Sequence, residues 1–545
     1  MKLPAKYIAR SIEAIDLASV IGVLAILVAG LVVIDKFPPL AWVDIIVDDA
    51  YYYLGIARNL VDHGSSSFLP PFETNGYQPL WIVLLSGSAL LFGTASKAMV
   101  VQIYTLSFVF ILLFCLASKI RYGTVFPAVT CTALFFHVMA VGMETTMIPF
   151  LFILYMNTRK WRWKGVFGSA LFFARLDALS LIVASDIFDL IKNKKIDFRK
   201  YIIIVPPILL YCAFNLHYFG TAVPVSGLAK AIGNVKGENL ATGATYFSSI
   251  KGAIPIIAGI LAYLFFKIKS FQLRYLKEIT ITLVAALMCA AYYSINSGWS
   301  VWGWYYWPIL LLTYYLILEA VFIIKTHCTA TPSTSILSFF IIGVALIYLS
   351  KPSLGFAFHR IATLTQFTDA PQQHPTAARE NVQLVSYLRT QNIKPGSFFA
   401  MGDRAGSFGF FLGNDYRFIH TEGLVGPYSY YQAMRADRGR DFIDNLKLDY
   451  FVVDRGKLIV DKDVIGVIEP VQPLSSRFGD YVLCFTTDGI ILDQSYYNPD
   501  HFFQQRYLID FKKRTDCSRY INEEFASLRS RYGAIMNFSF PGNPG

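Results

Sequence analysis

The chain has 545 residues, of which 55% are hydrophobic and 16% charged, with a formal net charge of +11 and a mean hydropathy of +0.46. That is too apolar for an ordinary soluble protein and points to the membrane class. The positive charge is better assigned to loop lysines and arginines that obey the positive-inside bias than to a nucleic-acid surface.

At the N-terminus, basic residues precede the apolar run Leu17 to Ile34. No small-residue cleavage site follows and the run is long enough to span, so an uncleaved first helix with a cytoplasmic start is expected rather than a signal peptide. Directly after it comes VDDAYYYLGIARNLVDHG, residues Val47 to Gly64. Two adjacent acids at the mouth of a membrane serve either as a helix N-cap or as a functional carboxylate pair. Residues 80–92 are apolar but short, which suits a re-entrant or interfacial helix.

Further apolar runs lie near 98–117, 123–141, 145–157, 200–217, 252–268, 277–294, 304–325 and 333–350. The stretch 166–189 carries Arg175 and Asp177 in its middle, which suggests two short helices meeting at ARLDA. If 80–92 dips back and 166–189 forms a hairpin, every basic loop falls on the cytoplasmic side: Lys119/Arg121, Arg159 to Lys164, Lys192 to Lys200, Arg274/Lys277 and Lys325. This threading gives about eleven membrane helices and a first outer loop at 36–97. It also gathers Asp44, Asp48, Asp49, GMETTM (Gly142 to Met147), YFGTAVPVSGLAK (Tyr218 to Lys230) and WSVWGWYYWP (Trp299 to Pro308) on the outer face, although none of them was used to choose it.

The chain accordingly divides into a polytopic α-helical membrane part, 1–351, and a soluble extracytoplasmic α/β tail, 352–545. Strands are expected in GSFFAMGD, LDYFVVD, VIGVIEPV and YVLCFTT, and TAARENVQLVSYLRTQ has helical spacing. Cys115, Cys131, Cys212, Cys289 and Cys328 lie in or beside apolar runs and read as small core residues. A disulfide between Cys484 and Cys517 is left open, and no Cys/His spacing reads as a zinc site.

Of the candidate site residues, Asp48 and Asp49 carry the general-base reading: one carboxylate takes a proton from an attacking hydroxyl while the other positions it or helps hold a divalent cation. Asp49 is favoured, because the N-terminus of the following helix would orient its carboxylate; the same dipole would lower its pKa. Glu144 is either a water-facing turn acid or a second site acid. Arg175 and Asp177 read as a structural pair at the helix break. Lys230 and His217 flank a segment that suits a lipid-linked phosphate, the plainer reading being an interfacial lysine snorkelling to headgroups. The aromatic run containing Tyr306 is an interfacial belt or a sugar-binding surface. GDRAG, Gly402 to Gly406, follows a strand and reads as a strand-to-helix turn or, more weakly, a nucleotide loop.

Taken together, DDAYYYLGIARNLVDHG, TNGYQPLW (Thr74 to Trp81, including Asn75), GMETTM, ARLDA, YFGTAVPVSGLAK, AMGDRAGSFGFFL and IHTEGLVG resemble, in order and spacing, the GT-C superfamily of membrane glycosyltransferases. The branch they resemble includes bacterial arabinofuranosyltransferases. The resemblance implies a polyprenyl-phosphate sugar donor, an acceptor hydroxyl on a glycan, protein or lipid of the cell envelope, and a bacterial cytoplasmic-membrane location with the tail outside. It implies an inverting displacement with Asp48 or Asp49 as base, and Glu144, Lys230, Arg175, Asp177, His217, Asn75 and Tyr306 about the donor and acceptor. Leu176 departs from the proline that often follows the corresponding arginine. The competing classes are a lipid-linked-sugar flippase, which would favour acids buried in mid-membrane and repeated halves, and a catalytically silent membrane scaffold.

Overall fold

A computed structural model of the chain describes residues 5–134, 139–232, 273–297, 302–327, 376–391, 393–436, 438–454, 458–461, 464–467, 483–493 and 506–515. The protein is a polytopic α-helical membrane protein with a C-terminal mixed β-sheet domain. Among the described residues five helices are long and apolar enough to cross a membrane: Glu13–Lys36, Ser96–Tyr122, Phe198–Phe219, Leu276–Asn296 and Gly303–Phe322. The first and third present Leu17, Ile21, Val28, Ile202, Leu209 and Leu210 outward, as lipid-facing helices do.

Five is fewer than the eleven or so expected. The runs 252–268 and 333–350 lie outside the described residues. The run 145–157 forms only the ten-residue helix Ile148–Asn157, and the run 123–141 includes residues 135–138, which lie outside the described residues. In chain order the membrane part comprises α1 (Ala5–Lys36), α2 (Asp48–His63), α3 (Pro79–Phe92), α4 (Ser96–Tyr122), α5 (Phe126–Leu134), α6 (Ile148–Asn157), α7 (Trp161–Ala174), α8 (Leu179–Asn193), α9 (Tyr201–Phe219), α10 (Val225–Ala231), α11 (Leu276–Asn296) and α12 (Trp307–His327).

Ion pairs fix how these helices run. Asp35 meets Lys97 at 3.2 Å and Asp16 meets Lys119 at 2.7 Å, so α1 and α4 are antiparallel. The intervening chain therefore starts and ends at the same end of the bundle, and α3, at 14 residues, does not cross. Lys164 at the start of α7 reaches Asp189 near the end of α8 at 3.8 Å, so the two helices form the expected hairpin, broken at Arg175–Ala178. Lys277 joins Asp189 at 2.8 Å and Lys200 pairs with Asp186. Tyr122, next to Arg121, packs edge-on against Tyr275 with centroids 5.3 Å apart. The basic loops Lys119/Arg121, Lys164, Lys200 and Arg274/Lys277 thus share one end of the bundle.

The tail contains α13 (Ala377–Thr390), β1 (Phe398–Met401), α14 (Ala405–Leu412), β2 (Arg417–His420), α15 (Tyr428–Arg435), α16 (Gly439–Asn445), β3 (Tyr450–Asp454), β4 (Leu458–Asp461), β5 (Val464–Val467), β6 (Leu483–Thr486), β7 (Ile490–Asp493), β8 (Arg506–Asp510) and β9 (Arg514–Thr515). One sheet has the order β2-β1-β3-β8-β7, parallel at β2-β1-β3 and antiparallel beyond; the other has the order β4-β5-β6-β9. Alternation along β1 sends Phe398 and Ala400 into a core with α15 and α16, and Phe399 and Met401 into a second cluster. That second cluster is continuous with the membrane part through Phe408, Phe410 and Phe418 on one side and Tyr51, Tyr52 and Phe68 on the other. The tail is thereby docked on the first loop. Asp44 reinforces the junction, accepting from Thr376 at 2.7 Å and pairing with Arg379 at 2.9 Å. Cys484 is disulfide-bonded, and Cys517 lies outside the described residues.

Candidate active site

The site is organised by α2. Residues four apart share a helix face, and this sorts the two acids. Asp49 and Tyr53 face the membrane helices, where the Tyr53 hydroxyl donates to Glu144 Oε2 at 2.9 Å. Asp48 and Tyr52 face the tail. Tyr52 OH lies 3.0 Å from His420 Nε2, and the carboxylate of Asp48 accepts from Gly406 N and Ser407 N, both at 2.9 Å, and from Ser407 Oγ at 2.6 Å. The rest of the tail-facing stripe continues the contact: Tyr51 packs on Phe410 at 5.3 Å, Arg58 donates to Phe410 O at 3.1 Å, and Asn414 donates to Asn59 Oδ1 at 2.6 Å.

Glu144 is brought beside the start of α2 by Gly142. That residue has φ +101°, and a side chain there would meet Ala50 Cβ at 2.6 Å, so only glycine permits the approach. The turn is pinned by Ser107 Oγ, which accepts from Gly142 N at 2.9 Å, and by Trp81 Nε1, which donates to Gly142 O at 3.0 Å. Glu144 is 1% exposed. It is neutralised by Arg175 Nη1 at 2.7 Å, while Arg175 Nε forks to both oxygens of Asp177 at 2.9 and 3.1 Å. Tyr293 OH donates to Asp177, and Gln78 Oε1 accepts from Leu176 N at 3.3 Å, holding the helix break. The expected Arg175–Asp177 pair is therefore present, with Glu144 as a third member. Glu144 is not a water-facing turn acid.

Lys230 enters from α10. Asn75 builds its approach: Oδ1 accepts from Val225 N at 2.9 Å, and Nδ2 donates to Val223 O and Asn215 Oδ1, both at 3.2 Å. The ammonium donates to Tyr305 OH at 2.5 Å and lies 5.2 Å over that ring, while the Arg175 guanidinium lies 4.9 Å over the same ring. No carboxylate stands within ion-pair distance of Lys230 among the described residues. Burial works to lower its pKa, but the Tyr305 hydroxyl and the charge of Asp49 outweigh this and hold it above the usual lysine value.

Asp49 differs from Asp48, Glu144 and Asp177 in having no hydrogen bond or ion pair with any described residue. Burial pushes its pKa up to about 7; Lys230 opposes the rise, and the negative charges of Asp48, Asp403 and Glu144 add to it. The helix dipole was expected to lower it, but desolvation is the larger effect. An ionised Asp49 at neutral pH is thus a stronger base than an ordinary carboxylate.

Of the residues that the sequence singles out, the structure brings Asp49, Glu144, Arg175, Asp177 and Lys230 together in one cluster. Asn75 and Asp48 support it. His217 is exposed at the end of α9, packed edge-on against Tyr218, and does not join it. The ring receiving both cations is Tyr305; the neighbouring Tyr306 packs against the hydrophobic core. Tyr53, Tyr293, Tyr305, Ser407 and His420 were not singled out, although the spacing of Tyr53 from Asp49 would have found the first. The Asp48 oxygens are taken by the tail, and among the described residues no group of three His, Cys, Asp or Glu residues could hold a metal ion.

No family model matches the chain, and no curated protein matches it. Among solved structures, ArnT from Cupriavidus metallidurans bound to undecaprenyl phosphate superposes with a TM-score of 0.48 at 11% identity, covering 84% of this chain and 96% of that one. The apo state of the same protein gives 0.48 at 10% identity, covering 81% and 93%.

Proposed function

We propose that the chain is an integral membrane glycosyltransferase that moves a sugar from a polyprenyl-phosphate donor to an acceptor hydroxyl on the extracytoplasmic face. The carrying observation is the electrostatic coupling of Asp49, a carboxylate of raised pKa with no hydrogen bond or ion pair to any described residue, to Lys230, a cation with no carboxylate within ion-pair distance among the described residues. A base with no fixed partner and a cation with no fixed anion are what a proton-accepting and phosphate-releasing reaction requires at one site.

In this reading the acceptor oxygen attacks the anomeric carbon and gives its proton to Asp49 Oδ. The bond from that carbon to the phosphate oxygen breaks with inversion, and its electron pair stays on the polyprenyl phosphate. Lys230, with Arg175 behind the shared Tyr305 ring, receives the charge that develops on the phosphate. Glu144 and Asp177 hold Arg175 in place. The position of the basic loops at the opposite end of the bundle supports an extracytoplasmic site, and the order of the sequence motifs supports the donor class, with an arabinofuranosyl donor the first to try.

The test is incubation of the purified protein with a panel of polyprenyl-phosphate sugars, following donor loss with and without acceptor. Turnover of one donor that disappears in Asp49→Asn supports the reading; movement of the lipid across vesicles without cleavage of any donor would replace it with the transporter class.

A further inference from the structure

The first turn of α14 lacks a cap of its own. The residue at its N-cap position, Arg404, has left-handed backbone angles, φ 58° and ψ 35°, and makes no side-chain capping bond. A helix start leaves several N–H groups without intrahelical partners, and a capping side chain normally satisfies those at the second and third positions. Here those positions are Gly406 and Ser407, and the carboxylate that accepts from both is Asp48, some 358 residues away in sequence. The Ser407 hydroxyl adds a third bond at 2.6 Å, and Asn381 Nδ2 donates to that hydroxyl at 2.9 Å and to Arg404 O at 2.8 Å. Gly406 is required by the approach, since a Cβ there would lie 2.2 Å from Asp48 O. The negative carboxylate also meets the positive end of the α14 dipole. The two halves of the protein are therefore joined at the residue adjacent to Asp49.

We propose that Asp48 is a positioning residue: by capping α14 it locks the tail onto the first turn of α2, and Asp49 is held in its working geometry only while the tail is docked. This rests on Asp49 as base in the reading above. Its consequence is that the tail is part of the catalytic centre and not only a surface for acceptor access. Groups facing Asp49 are Asp48 on its own helix, Lys230 on α10, Glu144 on the turn before α6 and Asp403 before α14.

The test compares Asp48→Asn, Ser407→Ala and the double substitution in the full-length protein, with Asp49→Asn alongside. Readouts are kcat and donor KM over pH, and amide hydrogen exchange across residues 405–412. We expect Asp48→Asn to lower kcat by about tenfold or more and Ser407→Ala by a smaller factor, with donor KM unchanged to within about twofold. The double substitution should be no worse than Asp48→Asn, because both act through one contact. Asp48→Asn should also move the acid limb of kcat to lower pH, since it removes a negative charge beside Asp49, whereas Ser407→Ala should leave the limb in place. Exchange at 405–412 should accelerate in both. Losses that multiply in the double substitution, or faster exchange in Ser407→Ala with wild-type kcat, would overturn the positioning role. If Asp48→Asn does not fold, Ser407→Ala decides alone. An active Asp49→Asn would instead remove the base assignment, while the exchange data still report whether the cap exists.

Discussion

Lys230 donates to the Tyr305 hydroxyl at 2.5 Å and not to Asp49, although each of the two charges favours ionisation of the other. They are close enough to couple and are not locked together. A tight ion pair would have neutralised both; here the carboxylate and the ammonium influence each other without a direct bond. Removing the base is the most direct probe. Asp49→Asn should lower transfer by roughly 10²–10⁴-fold, the usual worth of a general base, while donor binding persists. In the wild type, kcat should climb with pH through an apparent pKa of about 7, because only the ionised carboxylate accepts a proton. A flat profile from pH 5 to 9 would exclude Asp49 as the base.

The same carboxylate carries a stability signature. Its folded pKa, about 7, lies above the ordinary value of 3.8, so folding favours the protonated form. Its unfavourable contribution is absent below the unfolded pKa, grows as pH rises between the two values and is complete above about 7. Asp49→Asn should therefore melt at a higher temperature than wild type at pH 8, and the difference should vanish near pH 4. Equal melting curves at pH 8 would mean that the carboxylate is not desolvated.

Lys230→Met tests the cation. It should raise donor KM, since a phosphate would lose its point charge, and it should move the acid limb of kcat to higher pH, because Lys230 holds the Asp49 pKa down. A KM effect with an unmoved limb would show that the two charges do not couple.

Much of this arrangement was legible because it is local. The Asp48–Asp49 pair, the GMETT turn and the ARLDA break each interrupt an apolar pattern, and β1, β3, β5, β6 and α13 follow from short periodic runs. What was not legible depends on distant partners. Nothing near Asp48 marks Ser407 as its partner, and the left-handed Arg404 that leaves α14 without its own cap is not a glycine. The Asp49 pKa direction was missed for the same reason: the dipole is readable from the sequence, whereas desolvation and the charges of Lys230, Asp403 and Glu144 depend on residues distant in the chain. β2 and β8 are four and five residues long, begin with arginine and offer little alternation to detect.

Glu144→Gln tests the buried charge network. In the structure it leaves Arg175, 4% exposed, with Asp177 as its remaining carboxylate. Breaking a buried ion pair by neutralising one partner costs about 3–5 kcal/mol, and the surviving Asp177 fork should reduce this to the lower end of that range or less. The expected outcome is a clear loss of thermal stability together with lower kcat. A variant with wild-type stability and only a raised KM would indicate that Glu144 contacts substrate directly.

The last prediction concerns orientation. The Asp35–Lys97 and Asp16–Lys119 pairs make α1 and α4 antiparallel, so position 97 lies at the opposite end of the bundle from Lys119. Through Tyr122 and Tyr275, and then Lys277, Asp189 and Lys164, that end also carries the α7 loop. The basic residues concentrate there, and the positive-inside bias puts them in the cytoplasm. A cysteine placed at position 97 should react with an impermeant maleimide added to intact cells, and one placed at position 160 should react only after permeabilisation. The reverse pattern would invert the protein and put the Asp49–Lys230 site in the cytoplasm, where the donor and acceptor would have to be sought instead. Labelling of both positions from one side would contradict the helix arrangement itself, since these ion pairs and ring contacts together place them at opposite ends.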